Sequence, residues 1–212
     1  MALTNNNKQV MYSLFFKNFI DFLISVIGLI ILSPLILIII TILLFTNKGK
    51  PFFLQQRPGK HGALFKIIKF KTMTDLNSNT KNEVHSLNRV TKVGAFIRKY
   101  SLDEILQLVN VLKGDMSIIG PRPLLVEYLP LYDAVQKTRH DVRPGITGWA
   151  QIKGRNSLNW NQKFEYDVWY VKNLSLSLDI KIFFLTILKV IKKDGVNTNE
   201  NMTMPTWRGN SV

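Results

Sequence analysis

Cysteine is absent from this 212-residue chain, which excludes disulfides, thiolate metal sites and thiol nucleophiles. Histidine is scarce. His61, His85 and His140 stand far apart, without the spacing of a zinc site. No G-x-x-x-x-G-K-[ST], G-x-G-x-x-G or G-x-S-x-G run occurs, so the signatures of P-loop NTPases, dinucleotide-binding enzymes and α/β hydrolases are missing. Acidic residues are also few: 14 Asp+Glu stand against 28 Lys+Arg, for a formal charge of +14. Such a surplus favours a polyanionic partner, meaning nucleic acid, an anionic membrane face or phosphorylated substrates. Nucleic acid is the weakest of the three, because no zinc-finger, RNA-binding aromatic or helix-turn-helix pattern appears. Apolar residues make up 46% of the chain, which supports a folded core rather than disorder.

What is present begins with a long apolar run. From Phe22 to Phe45 there are 24 residues without a charge, and about 20 suffice to cross a bilayer. The run is too long for a signal peptide and no small-residue cleavage site follows it. Ser33-Pro34 sits at its midpoint. Proline removes a helix hydrogen bond, and serine can re-satisfy freed backbone groups. Each half would be about 18 Å long, too short to cross alone. Both flanks are basic, with Lys8 and Lys17 before and Lys48, Lys50 and Arg57 after. Basic residues prefer the cytoplasmic side, so a segment that enters and leaves by one face is favoured over a kinked spanning helix or a buried soluble one.

Residues 48–99 hold 12 basic and 2 acidic residues. Beside an apolar anchor, this charge suits anionic headgroups and phosphorylated ligands. Phe65–Met73 reads as a short strand and Asp75–His85 as a polar loop. Ser101-Leu102-Asp103-Glu104 fits a capping box opening a helix that Gly114 ends. Gly120-Pro121-Arg122-Pro123 is a rigid turn. Leu124–Lys137, Asn159–Val171 and Leu176–Ile191 read as helices, the last either interfacial or packed on the core. The fold expected is α+β and predominantly helical. Residues 1–17 form a polar arm, 18–47 a re-entrant helix-break-helix, 48–193 a compact catalytic domain with amphipathic interfacial helices, and 194–212 a polar tail.

Arg98, Asp103 and Glu104 gather around one helix start. A carboxylate can attack phosphorus, a neighbouring one can hold Mg²⁺, and an arginine can grip phosphate through two bonds. The plain alternative is that Glu104 merely completes the capping box. Arg122, Arg143 and Arg155 lie in or beside turns, as phosphate-binding or simply surface cations. Asp167, one turn after Lys163, reads as a solvated ion-pair partner, and Asp179 as a polar residue of an amphipathic helix.

The ordered motifs carry more than any one of them. They are Ser33-Pro34, Gln56-Arg57-Pro58-Gly59, Lys69-Phe70-Lys71-Thr72-Met73, Ser101-Leu102-Asp103-Glu104, Gly114-Asp115-Met116-Ser117, Gly120-Pro121-Arg122-Pro123, Arg143 through Gln151 (RPGITGWAQ) and Gly154-Arg155-Asn156. Together, over about Asn18 to Lys193, they resemble the bacterial sugar transferases, small monotopic polyprenol-phosphate phosphoglycosyl transferases of the bacillosaminyl-phosphate type. The resemblance implies transfer of a sugar 1-phosphate from a UDP-sugar to undecaprenyl phosphate, with release of UMP, at the start of bacterial glycan assembly. It implies Asp103 as nucleophile, Glu104 as its partner and Mg²⁺ as cofactor, with both carboxylates as candidate metal ligands. Arg98 matches a phosphate contact. Arg122, Arg143, Arg155, Lys69 and Asp167 are carried over as candidate substrate-binding residues, and Ser33-Pro34 as the membrane-helix break. A monotopic location on the cytoplasmic face of the inner membrane is implied, in the minimal form without a multi-span extension. The stretches Leu125–Pro130 and Phe164–Val168 resemble members that use N-acetylated amino sugars such as diacetylbacillosamine. Two rivals stand beside this reading: a non-enzymatic module that binds anionic lipid or a partner, and a glycosyltransferase that releases UDP.

Overall fold

The computed structural model describes residues 12–74, 89–154, 157–192 and 206–209. Helix α1, Lys17–Thr46, follows a short π-helical stretch, Tyr12–Phe16. Its 30 residues make a rod of about 45 Å. The helix is assigned without interruption, so the break expected at Ser33-Pro34 does not divide it in two. Pro34 has no amide to give the Ile30 carbonyl. Ser33 Oγ donates to that same carbonyl at 2.8 Å. The hydroxyl stands in for the missing amide and the helix continues.

Only 11% of the most apolar window of α1 is buried. Phe22, Ile30, Ile31, Leu37 and Phe45 are all exposed. An apolar surface of this extent exceeds what soluble monomers present to water. The helix is therefore not a soluble core element, and it suits membrane association.

The buried positions of α1 follow a helical stripe: Lys17, Asp21, Ser25, Ile39 and Leu43. At one end Lys17 Nζ meets Asp179 Oδ2 at 2.5 Å. Asp21 accepts from the Ile118 amide at 3.0 Å and from Arg143 Nη2 at 2.8 Å. At the other end Ile39 and Leu43 pack with Phe70, Ile97 and Leu106, and Asn47 Nδ2 donates to the Lys71 carbonyl at 2.5 Å. Both ends of the helix thus hold the same domain.

Strands β1, Phe52–Pro58, and β2, Leu64–Phe70, form an antiparallel hairpin with Phe53 opposite Lys69. Asn110, fully buried, accepts from the Ile68 amide at 3.0 Å and donates to the Lys66 carbonyl at 2.8 Å. Its side chain does for the edge of β2 what a third strand would do. Helix α2, Lys92–Lys99, is capped by Thr91, whose hydroxyl accepts from the Gly94 amide at 2.9 Å. Helix α3, Gln107–Leu112, is short and gives way near Gly114, whose φ of +82° favours glycine.

Strand β3, Ser117–Ile119, pairs in parallel with β4, Gly145–Thr147. This pairing brings the Gly-Pro-Arg-Pro turn against the Arg-Pro-Gly turn. A Cβ on Gly145 would lie 2.1 Å from the Gly120 amide nitrogen, so backbones meet here without side chains between them. Between β3 and β4 a single helix over Leu124–Lys137 was expected. The chain instead forms a 3₁₀ segment, Val126–Leu131, and helix α4, Ala134–Lys137. Pro130 removes a donor that a continuous helix needs.

Helices α5, Trp149–Lys153, α6, Trp160–Lys172, and α7, Leu176–Lys192, complete the domain. Asn159 and Gln162 cap α6 reciprocally. One face of α7 buries Asp179 and Ile182. Ile180, Phe184, Ile187, Leu188 and Ile191 lie exposed along the other. A helix apolar on both faces, packed on a core by one of them, suits a membrane interface. The main core gathers Met116, Ile118, Ile119, Tyr170, Leu174 and Ile182. A further, aromatic cluster of Tyr128, Tyr132 and Phe164 takes in Trp207 from the C-terminal tail. The fold is α+β and predominantly helical, as the sequence implies.

Candidate active site

The site is built around residues 101–104, and its local structure corrects one expectation. Ser101 adopts φ 54°, ψ 24° and caps nothing with its side chain; Leu102–Glu104 is a 3₁₀ turn. The capping box is not formed. Its carboxylate is engaged elsewhere, by two cations. A non-glycine residue in left-handed conformation is uncommon, and such strain gathers at functional sites.

Glu104 Oε1 accepts from Lys69 Nζ at 2.8 Å. Arg122 grips both oxygens, with Nη1 at 3.2 Å from Oε2 and Nη2 close to Oε1. This is the bidentate geometry that makes arginine–carboxylate pairs strong. Lys69 comes from β2, whose position Asn110 fixes. Arg122 comes from the two-proline turn. Arg98, from the last turn of α2, donates through Nε to Thr72 Oγ1 at 2.8 Å.

Asp103 differs from its neighbour. Among the described residues no ion pair or side-chain hydrogen bond engages it. Burial raises its pKa and the adjacent Glu104 charge raises it further, against the pull of Lys69, Arg98 and Arg122. Burial alone would raise Glu104 as well, but Arg122 and Lys69 outweigh it and hold Glu104 well below the usual carboxylate range. Two adjacent carboxyls are pushed in opposite directions, the pattern that separates chemical roles. Lys69 in turn is lowered, by burial first and by Arg122 next, with Glu104 opposing.

Arg122 is held from behind. Arg139 Nη2 donates to the Arg122 carbonyl at 2.7 Å. Arg139 also binds Asp167 Oδ2 through Nε at 3.1 Å and Nη2 at 2.7 Å. Asp167 is therefore a buried partner of Arg139, not the solvated partner of Lys163 that its spacing suggested. Arg143 is placed at the start of α1, bonded to Asn18 and Asp21. Asp179, expected as a polar helix residue, is buried under Lys17, Tyr12 and Tyr170. Arg155 lies outside the described residues.

Sequence reasoning missed Arg139 and Asn110, and read Lys163 only as an ion-pair partner of Asp167. Arg57 and Lys163 both sit within reach of the Arg122 charge. Burial lowers the pKa of each, and Arg122 lowers it further. No spacing could reveal Arg139, which stands 28 positions from Asp167. Arg57 was visible as part of a motif and as a basic residue flanking the apolar run.

The fit to Mg²⁺ follows from the donors. No group of three or more His, Asp or Glu that could hold a metal occurs among the described residues. Asp103 and Glu104 offer two carboxylates, and Mg²⁺ is commonly held by one or two plus phosphate oxygens and water. Asp103 fits as one carboxylate ligand of such an ion, whereas Glu104, with both oxygens bonded by Lys69 and Arg122, would join it only as one of those contacts gives way.

A family model described as bacterial sugar transferase matches residues 12–193. A sugar transferase of Bacillus subtilis (strain 168), EpsL, is 47% identical over 193 residues, covering 91% of this chain and 96% of that protein. The UDP-glucose:undecaprenyl-phosphate glucose-1-phosphate transferase of Klebsiella pneumoniae is 42% identical, covering 82% of this chain and 40% of that one. The UDP-N-acetylgalactosamine-undecaprenyl-phosphate N-acetylgalactosaminephosphotransferase of Aeromonas hydrophila is 40% identical, covering 84% of this chain and 44% of that one. The chain thus spans nearly all of EpsL and less than half of the two larger proteins. Matched along most of its length, and carrying the carboxylate pair within its cationic frame, the chain belongs to the bacterial sugar transferase family.

Proposed function

We propose that this protein transfers a sugar 1-phosphate from a UDP-sugar to undecaprenyl phosphate and releases UMP, as the first membrane step of a bacterial glycan. The observation that carries the reading is the contrast within the carboxylate pair. Among the described residues no ion pair or side-chain hydrogen bond engages Asp103, whose pKa is raised, while Glu104 is locked between Lys69 and Arg122.

In the first step a carboxylate oxygen of Asp103 attacks the phosphorus bearing the sugar. The bond from that phosphorus to the bridging oxygen breaks, and UMP leaves with the bridging oxygen. In the second step an oxygen of the lipid phosphate attacks the same phosphorus. The acyl–phosphate bond breaks, the lipid diphosphosugar leaves, and Asp103 returns as carboxylate. Phosphoryl transfer depends mainly on positioning and charge stabilisation. Arg122, Lys69 and Arg98 supply fixed positive charge around the attacking oxygen. Asp103 and Glu104 are the residues that would hold Mg²⁺, which when bound adds charge neutralisation at the diphosphate.

The two ends of α1 contact one domain, which supports a monotopic arrangement over a spanning one. The basic stretch after α1 supports the cytoplasmic face for that domain. For the sugar, the resemblance of Leu125–Pro130 and Phe164–Val168 supports an N-acetylated amino sugar such as diacetylbacillosamine. Relatives named for glucose and for N-acetylgalactosamine make a donor panel essential. The test uses purified protein in nanodiscs with Mg²⁺, undecaprenyl phosphate and a panel of UDP-sugars, with UMP and UDP assayed separately. Lipid-dependent UMP release that is lost in Asp103→Asn is the expected result. UDP release would move the protein to a different transfer chemistry.

A further inference from the structure

A cavity of about 300 Å³ opens beside the carboxylate pair. Glu104 and Ser101 line one part of it, Leu102, Ile105 and Leu108 another, and Ile152 and Val190 the facing wall, where Thr147, Gln151, Thr186 and Lys189 add polar groups. Its exposed lining is mainly apolar, and its size falls at the lower end of small-molecule sites. None of this belongs to the cationic frame around Glu104.

Two contacts tie the cavity to the membrane side. Leu108 reaches α1, where its Cδ1 would lie 3.2 Å from a Cβ built on Gly28. Val190 lies half-exposed on α7, the helix whose outer stripe of Phe184, Ile187, Leu188 and Ile191 is also exposed. The groove is thus continuous with the apolar exterior through α7 and with the reacting carboxylates through Glu104.

From this we propose that the groove holds the prenyl segment next to the phosphate of the lipid acceptor. The inference rests on the transfer reaction proposed above. A lining whose exposed surface is mainly apolar offers a sugar or a uridine fewer partners than its hydroxyls and amides lose in leaving water. It gives much to an isoprenoid chain, stabilised roughly in proportion to the apolar area removed from water. A lipid seated there would bring its phosphate to the carboxylate pair while its remaining tail passes along α7 into the bilayer. The groove therefore selects the acceptor, and the cationic frame selects the donor.

The experiment separates the two half-reactions. Ile152→Trp and Val190→Trp fill the groove from two different elements. The donor half-reaction is read without lipid, as UMP formed in a burst and phosphosugar retained on the protein. The acceptor half-reaction is read as the apparent KM for undecaprenyl phosphate. A diazirine-bearing prenyl phosphate gives a direct readout, with the cross-linked peptide identified by mass spectrometry. The expected result is an intact donor burst, an acceptor KM raised severalfold in both variants, and cross-linking to the Ile146–Ile152 and α7 peptides that undecaprenyl phosphate displaces. An acceptor KM unchanged in both variants overturns the proposal. So does a donor burst lost in both variants while their melting temperatures match wild type, which would assign the groove to the sugar. Cross-links elsewhere, or cross-links that phospholipid displaces equally well, overturn it too. Absence of any donor burst in the wild-type protein would instead overturn the reaction on which the inference stands.

Discussion

Lys17 and Asp179, 162 positions apart in the chain, meet at 2.5 Å in a buried ion pair that joins the start of α1 to α7. Tyr12 and Tyr170 each donate to the same aspartate at 2.7 Å. Helix α1 is therefore fastened at its beginning by polar bonds and farther along by apolar packing. Breaking one partner of a buried pair leaves an uncompensated charge and costs about 3–5 kcal/mol. Asp179→Leu is expected to lower thermal stability by that order, measured by melting in detergent. It also takes the shared acceptor from Lys17 and Tyr12, while Tyr170 keeps the Ile119 carbonyl at 3.2 Å. A change of less than about 1 kcal/mol would mean that the pair behaves as a surface contact.

The carboxylate pair predicts stability changes of opposite sign. The folded pKa of Asp103 lies above its unfolded value. Its charge therefore costs stability at pH above the folded value, and the cost fades as pH falls towards the unfolded one. Glu104 has a lowered folded pKa. It contributes stability above its unfolded value and loses that contribution as pH falls through the folded one. In Mg²⁺-free buffer at pH 7, Asp103→Asn is expected to raise the melting temperature and Glu104→Gln to lower it. The gain from Asp103→Asn should shrink as pH falls into the ordinary carboxyl range. Both variants should lose turnover. Stabilisation by removing a functional charge is the usual trade at active sites. Matching signs in the two melts would contradict the opposed environments of the two carboxyls.

Much of this was legible in the sequence, and the rest was hidden for definable reasons. The apolar run announced α1 because composition alone decides it. The ordered motifs named Asp103, Glu104 and Arg122, which the fold brings together. Ser101 misled because S-x-x-E is a local pattern, and the local preference was overridden when Arg122 and Lys69 engaged Glu104 from distant elements. Asp167 misled in the same way: Lys163 is its neighbour in sequence, yet Arg139 is its partner in space. Leu124–Lys137 broke up because its proline chemistry outweighed its apolar spacing. Asn110 and Asp179 were invisible as functional polar groups, since only the fold places them against backbone edges and the first helix.

Arg139 is a positioning residue. It touches neither member of the carboxylate pair, but it holds the carbonyl of Arg122 at 2.7 Å and is itself held by Asp167. Lysine cannot reproduce its fork of bonds. Arg139→Lys is expected to reduce kcat for UMP release more than it changes the KM for the UDP-sugar, because Arg122 stays present but loses its fixed orientation. A purely structural role would instead show as a lower fraction of active protein with unchanged kcat per active site. Titrating active sites by the donor burst separates the two outcomes.

The two ends of α1 should be reachable from the same side of the bilayer. A spanning helix puts its ends on opposite faces, about 30 Å apart across the hydrocarbon. Here both ends bind one domain, through Lys17 and Asp21 at one and Asn47 at the other. The absence of cysteine makes the measurement direct, because any introduced thiol is the only one. Phe16→Cys and Lys50→Cys are each expected to react with a membrane-impermeant maleimide in inside-out vesicles and to stay protected in right-side-out cells. Labelling of the two from opposite sides would establish a spanning helix. Ser33→Ala adds a second reading. It leaves the Ile30 carbonyl without its donor, at the one turn where Pro34 provides no amide. An unsatisfied carbonyl in hydrocarbon costs several kcal/mol, so the variant is expected to destabilise membrane-embedded protein. Ser33→Ala combined with Pro34→Ala should recover much of that loss, because the amide restored at position 34 can bond the Ile30 carbonyl directly. Recovery of stability without recovery of activity would show that the proline serves the depth and angle of α1 rather than its folding.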